Sequence, residues 1–275
     1  MHESGLGHAP ANPPALGGRE PSPASASLLA GRTDRPQAGL HRKFLERNFY
    51  LGMSLLVAGV VAFGFSRTIG ANLLHPDTPR PTILYIHAWV FSGWVALFML
   101  QSALARARHI ALHRTVGTFG ACLGSVLPLL GLATALVMQH WHAQRVASQA
   151  TGLSLPFNDM LTFSIAFGLA IRWRRRPEFH RRLMLIATCC LTGAAFARFP
   201  EYLVPDNAFY LCVDLLVLLG VWRDWALTRH VHVVYRRGLP CLVASQALAQ
   251  YLMLYTPAIW VAFTRHIMEW TWWLA

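Results

Sequence analysis

The sequence predicts an all-α, polytopic membrane helix bundle with seven transmembrane helices, the N-terminus inside the cell and the C-terminus outside. Three observations predict it. The chain is 55% hydrophobic and only 13% charged, whereas a soluble domain carries about 25% charged residues. Its apolar residues fall into about seven stretches, each close to the ~20 residues a helix needs to cross a bilayer. Every second gap between those stretches holds an arginine cluster. One set of gaps carries Arg106, Arg108 and Arg114, then Arg172, Arg174, Arg175, Arg176, Arg181 and Arg182, then Arg223, Arg229, Arg236 and Arg237. The other set holds only Arg67 and Arg80, Arg145, Arg198, and Arg265.

Basic residues are retained on the cytoplasmic side of a membrane, and this rule gives the orientation. Residues 1–42 are rich in Pro, Gly, Ala and Ser without hydrophobic periodicity, the composition of a disordered cytoplasmic tail. The transmembrane domain follows over 43–275. The first apolar run begins near Phe49, too late for a cleaved signal peptide, so it is expected to be a retained anchor. A bacterial inner (cytoplasmic) membrane is the expected location, with the lipid bilayer as partner. The net charge of +12 does not predict nucleic-acid binding, because it is divided among loops and does not form one stripe.

The expected spans run from about Asn48 to Ser66, Ile83 to Ala105, Thr115 to Met138, Ser154 to Trp173, Leu183 to Tyr202, Ala208 to Trp225, and Leu239 to Phe263. Backbone polar groups in hydrocarbon must be satisfied within the segment, and these runs are too long and too uniform for barrel strands. Tyr50, Trp89, Trp141, Trp173, Trp222, Trp225, Trp270, Trp272 and Trp273 fall near span ends, where amphipathic rings prefer the head-group layer. Gly117, Gly120, Gly124 and Gly131 let helices approach closely and mark the third span as the expected bundle centre. Pro128 and Pro257 are expected to kink the third and last spans. The five cysteines, Cys122, Cys189, Cys190, Cys212 and Cys241, form no C-x-x-C pair and read as small buried hydrophobes.

Polar residues gather in two sets. The outer set is His87, Asn158, Asp159, Arg198 and Glu201, with Asp214 deeper. Counting ~1.5 Å per residue from Asp206 puts Asp214 about 12 Å below the outer interface, where an unpaired acid costs about 2.5–3.5 kcal/mol. Arg198 is its expected partner. Gln246 and Gln250 are expected to make interhelical hydrogen bonds. The inner set is His109, His113 and His180, flanked by arginines. His109 and His113 have a spacing that can chelate a metal, but no third ligand is evident, so no metal is expected beyond a haem iron. His113 and His180 open the third and fifth spans at similar depth and could face one flat cofactor. Haem b suits two such nitrogens, and Arg175, Arg176, Arg181 and Arg182 are of the type that binds haem propionates.

The segment His87, Ala88, Trp94, Gln101, Ala105, Arg106, His113, Arg114 and Gly117 resembles the core of b-type transmembrane cytochromes and ferric reductases. In that family four successive helices each carry one haem-ligating histidine. The resemblance implies His113 and His180 as an inner pair of axial ligands, with His87 in an outer pair. The fourth span has no histidine near its outer end, so the outer pair lacks its second member. A wider likeness, over roughly 43–265, is to a family of uncharacterised multi-pass bacterial membrane proteins. It rests on His87 and Trp94, on the L-H-R-x-x-G of Leu112 to Gly117, on the H-x-R-L-M of His180 to Met184, and on the A-S-Q of Ala244 to Gln246. It implies fold and location only.

Three functions fit these residues. The first is haem binding with transmembrane electron transfer. The second is a small-solute or ion transporter or sensor using the outer cluster of Asp159, Arg198, Glu201 and Asp214. The third is a non-catalytic membrane accessory protein. No nucleophile elbow, zincin motif or P-loop supports a hydrolase or a nucleotide enzyme.

Overall fold

The computed structural model describes residues 23–144 and 150–271, with side chains over 42–144 and 152–271. The first 22 residues of the tail, together with Arg145, Trp272 and Trp273, lie outside the described residues. Among the described residues, those up to Lys43 and those from Phe44 onward fall into two separate units, and the second forms the helix bundle. The described residues are helical, without strands. Helix α1 covers Pro23–Ser66, α2 Thr82–Arg106, α3 Ile110–Ala143, α4 Ser154–Arg172, α5 Pro177–Cys190, α6 Gly193–Phe196, α7 Phe209–Thr228, α8 Val233–Tyr255 and α9 Ala258–Trp270.

Four helices are long and apolar enough to cross a membrane: α1 from Arg42, α2, α3 and α4. Counting α8 with α9 as one broken span makes five. The surface is apolar, with Leu55, Phe119, Leu129, Leu161, Leu211 and Ile259 exposed, as expected where lipid is the solvent. Exposed Trp89, Trp222, Trp225 and Trp270 suit the interfacial layer.

Where the helices depart from the expected spans, local chemistry explains it. The stretch from Leu183 to Tyr202 is not one helix. The Thr192 hydroxyl donates to the Cys189 carbonyl at 2.6 Å and the Thr192 amide to the same oxygen at 2.9 Å, tightening the last turn of α5 and ending it. Pro200 and Pro205 then keep the chain irregular up to α7. In the last expected span, helix ends at Tyr255. Thr256 adopts a left-handed conformation with φ 42°, Pro257 caps α9, and α9 leaves at 87° to α8. The kink expected at Pro257 is therefore a near-right-angle bend between two helices.

Helix α4 packs against α3, α5 and α8, whereas α3 packs against α2 and α4. The bundle centre is α4, a correction to the expectation for the third span. The α3 glycines instead admit neighbours: a Cβ at Gly120 would lie 3.1 Å from Leu97, one at Gly124 would collide with the Phe167 ring, and one at Gly131 with the Met160 sulfur. Trp94 packs edge-on against Phe163 and Phe167 at 5.4 and 5.6 Å, so α2, α3 and α4 share one aromatic core.

Contacts between distant segments define two ends of the bundle. At the arginine end, Arg106 Nε donates to Asn48 Oδ1 at 2.6 Å, and Arg181 and Arg223 lie over the Tyr50 ring. At the opposite end, Trp141 Nε1 donates to the Pro79 carbonyl at 3.1 Å, Arg80 lies over Trp141, and Gln250 bonds the Asn207 carbonyl. The Asn48–Tyr50 stretch of α1, the end of α2, the start of α5 and the end of α7 thus share one end. The start of α2, the end of α3, the start of α7 and the end of α8 share the other.

Candidate functional site

Two helical hairpins close over the arginine end in the same way. After α2, Arg108 takes a left-handed φ of 62° and His109 caps α3. His113 then sits one turn into α3, with its Nδ1 3.3 Å from the Gln101 carbonyl of α2. After α4, Pro177 opens α5, its fixed φ suiting a first helical position. His180 sits one turn into α5, with its Nδ1 2.9 Å from the Ala170 carbonyl of α4. A carbonyl oxygen only accepts, so each Nδ1 carries a proton, and in the neutral ring each Nε2 then keeps its lone pair. No described residue bonds either Nε2. The two imidazoles are close enough to interact electrostatically. His109, as a cap residue outside the helix, shares no helical face with His113.

His87, Trp94 and Gln101 stand seven residues apart on α2, and a seven-residue step is nearly two whole turns, so they share one face. Each buries polar atoms that meet no partner among the described residues: His87 Nδ1, Trp94 Nε1, and both Oε1 and Nε2 of Gln101. The file spans about 21 Å of helix axis and ends at the residue whose carbonyl holds His113. His87 stacks on Phe91 at 4.0 Å.

The outer polar set divides. Arg198 and Asp214 do not pair, contrary to expectation. The irregular backbone after α6 turns Arg198 toward α1, where its guanidinium lies 4.5 Å from the centre of the Phe65 ring, donates to the Ala194 carbonyl and lies within electrostatic reach of His87. With its side-chain amide turned so that the nitrogen faces the acid, Gln246 donates to Asp214 at 2.9 and 3.1 Å. Asp159 accepts from the Tyr210 hydroxyl at 2.8 Å, which in turn accepts from Asn158 at 3.2 Å. Cys190 lies within electrostatic reach of both acids. Glu201 is apart from them, in an open cavity of about 220 Å³ with Val204, Asp206 and Phe209. The structure therefore brings Asp159 and Asp214 around Cys190 and leaves Arg198 and Glu201 outside that group.

The ion pairs among the described residues all lie at the arginine end. Arg182 clasps Asp224 with two bonds, Nε to Oδ2 at 2.7 Å and Nη2 to Oδ1 at 2.6 Å, and reaches Glu178 at 2.5 Å. Arg223 adds a bond to Asp224 at 3.1 Å, and Arg181 one to Glu178 at 2.6 Å. Arg182, Arg223 and Asp224 are 4%, 2% and 1% exposed, so Arg182 is committed to the protein and is not open to a cofactor's carboxylates. In the turn before α8, burial and the Arg182 charge push the His232 imidazole below the ordinary histidine range. Sequence reasoning passed over Glu178 and Asp224. Their signal was present: each is the one acid in a loop region otherwise held by arginines.

No family model, no curated protein and no solved structure matches this chain, and no resemblance to b-type cytochromes or ferric reductases is shown by these comparisons.

Proposed function

We propose that this chain is a seven-span helix bundle of a bacterial inner membrane that holds one b-type haem between His113 and His180 and carries electrons within the membrane. The supporting observation is the matched pair of imidazole clasps. Metal-bound histidines characteristically donate their second ring nitrogen to a carbonyl or carboxylate, which fixes both tautomer and ring orientation. Here two hairpins supply that arrangement in advance, with both Nε2 lone pairs available. Bound haem would supply one-electron redox chemistry. The chain's own part is to orient the two rings through Gln101 and Ala170, and to offer the polar atoms of His87, Trp94 and Gln101 along α2.

Seven crossings are supported by the alternation of helix ends, which treats α5 with α6, α7, and α8 as crossings beside the four apolar helices. Helix α7 is 20 residues long but carries Asp214, Arg223 and Asp224, and the last two lie in the buried ion-pair cluster with Arg182. Helix α8 alone, at 23 residues, reaches ~35 Å. Reporter fusions after Ala143 and after Thr228 are expected to report opposite sides of the membrane, with residue 228 in the cytoplasm. The same side for both would remove the seven-span topology.

Protein purified from haem-replete cells is expected to show a Soret band and a reduced-minus-oxidised spectrum of a six-coordinate b-type centre. His113→Ala and His180→Ala should each abolish it or leave a five-coordinate, high-spin remnant, whereas His109→Ala should retain it. A wild-type protein without a Soret band ends the proposal.

A second function is favoured by Asp159 and Asp214, two intramembrane acids held by Tyr210, Asn158 and Gln246 and by no cation among the described ion pairs. Such acids mark proton or cation paths in membrane bundles. If the chain moves protons or cations, Asp214→Asn and Asp159→Asn should abolish proteoliposome flux while the variants remain folded. Unchanged flux would leave these acids a structural role.

A further inference from the structure

At the arginine end, three buried hydrogen-bond donors have no acceptor among the described residues: Tyr50 Oη, Arg181 Nε and Arg223 Nε. They converge. The Arg181 and Arg223 guanidinium carbons lie 5.4 and 5.2 Å from the centre of the Tyr50 ring. Around them, the guanidinium groups of Arg181, Arg182 and Arg223 share only the carboxylates of Glu178 and Asp224. Three cations against two anions leave one positive charge uncompensated, beside an arginine that is 2% exposed.

Contact with an aromatic face eases that charge but does not satisfy an N–H, because the ring offers no lone pair in the plane of the guanidinium. A buried donor without an acceptor and a buried unpaired charge are both costly. One species removes both costs at once: an anion with several oxygens, able to accept from Tyr50, Arg181 and Arg223 together. A phosphoryl group has that charge and that number of acceptors. Access is through Arg181, whose side chain is 31% exposed.

We infer that Tyr50, Arg181 and Arg223 form a binding site for a phosphoryl oxyanion at the arginine end of the bundle. The site uses neither His113 nor His180 and does not depend on haem. The oxyanion can come from an anionic lipid headgroup or from free phosphate, and the test separates the two.

The full-length chain carrying His113→Ala and His180→Ala, so that haem cannot contribute, is placed in dodecyl maltoside micelles, whose headgroup carries no phosphate, with increasing phosphatidylglycerol. Its melting temperature is followed with lipid fraction to give an apparent affinity. A parallel titration in dodecyl maltoside alone uses sodium phosphate against sodium chloride at matched ionic strength. Phosphatidylglycerol is expected to raise the melting temperature saturably. Arg181→Gln should weaken the apparent affinity about tenfold or more, the loss of one charge-assisted bond, and Tyr50→Phe, which removes only a hydroxyl, by a smaller factor. Arg175→Gln, which removes an exposed arginine of the same cluster, should leave it within about twofold of the parent, as a diffuse contribution. Saturation by phosphate alone, with the same variant pattern, assigns the site to free phosphate. If neither anion stabilises the protein, or if Arg175→Gln weakens the response as much as Arg181→Gln, the site does not exist. Should Arg181→Gln fail to fold, Tyr50→Phe decides, and an unchanged affinity there overturns the inference.

Discussion

Asp224→Ala is expected to destabilise the bundle by about 3–5 kcal/mol, the cost of removing one partner from a buried ion pair. Both oxygens of Asp224 accept from Arg182, at 2.6 and 2.7 Å, and Arg223 adds a third bond at 3.1 Å. Without the carboxylate, two guanidinium groups remain buried between α5 and α7 with no countercharge except Glu178, which reaches only Arg182 of the two. The pair is not a source of net stability by itself, because desolvating the ions offsets their attraction. Arg182→Met and Arg223→Met combined with Asp224→Leu are therefore expected to recover most of the loss. By contrast, Glu178→Gln, at a side chain 55% exposed, should cost less than about 1 kcal/mol. Denaturation in detergent followed by tryptophan fluorescence distinguishes these cases. A single Asp224→Ala variant within about 1 kcal/mol of the parent would mean that water already reaches the pair.

Gly64→Ala is expected to break the contact between α1 and α6. A Cβ at position 64 would strike the Ala195 carbonyl oxygen and stand 2.9 Å from the carbonyl carbon and 3.0 Å from the Cα. These are backbone atoms, so no side chain can rotate away, and the two segments must separate. Overpacking of this kind costs about 1–3 kcal/mol, or more where the backbone cannot shift. Gly59 lies on the same helix with open space around its Cβ position. Gly59→Ala should be neutral or stabilising by up to about 1 kcal/mol, the gain in helix propensity. Equal melting temperatures for the two variants would contradict the tight approach. Separation should also displace Arg198 from Phe65, which lies next to Gly64.

Much of the arginine-end arrangement was legible in the sequence, because its determinants are local. The basic turns after α2 and α4 place His113 and His180 one turn into the next helix, and each clasp spans only 12 or 10 residues. The seven-residue spacing of His87, Trp94 and Gln101 likewise reads directly as one helix face. The Arg198–Asp214 pair failed for an equally physical reason. It assumed an unbroken fifth helix, while the Thr192 hydroxyl ends α5 and redirects the chain, and Gln246 from α8 takes the acid instead. The third-span glycines read correctly as close-approach positions. The site with a backbone obstacle, Gly64, gave no signal because its neighbour is more than a hundred residues away.

The amino-acid sequence by itself determined that this chain is helical, that lipid is its solvent, and that its guanidinium groups gather at alternate turns. These follow from run length, apolar content and charge placement, which are properties of single segments. Only the tertiary structure decided that α4 is the centre, that Arg182 closes on Asp224 across 42 residues, and that Asp159 and Asp214 face neutral donors. Which partner satisfies a buried charge depends on which helices meet and at what depth, and in lipid that is set by the close packing of all the helices together.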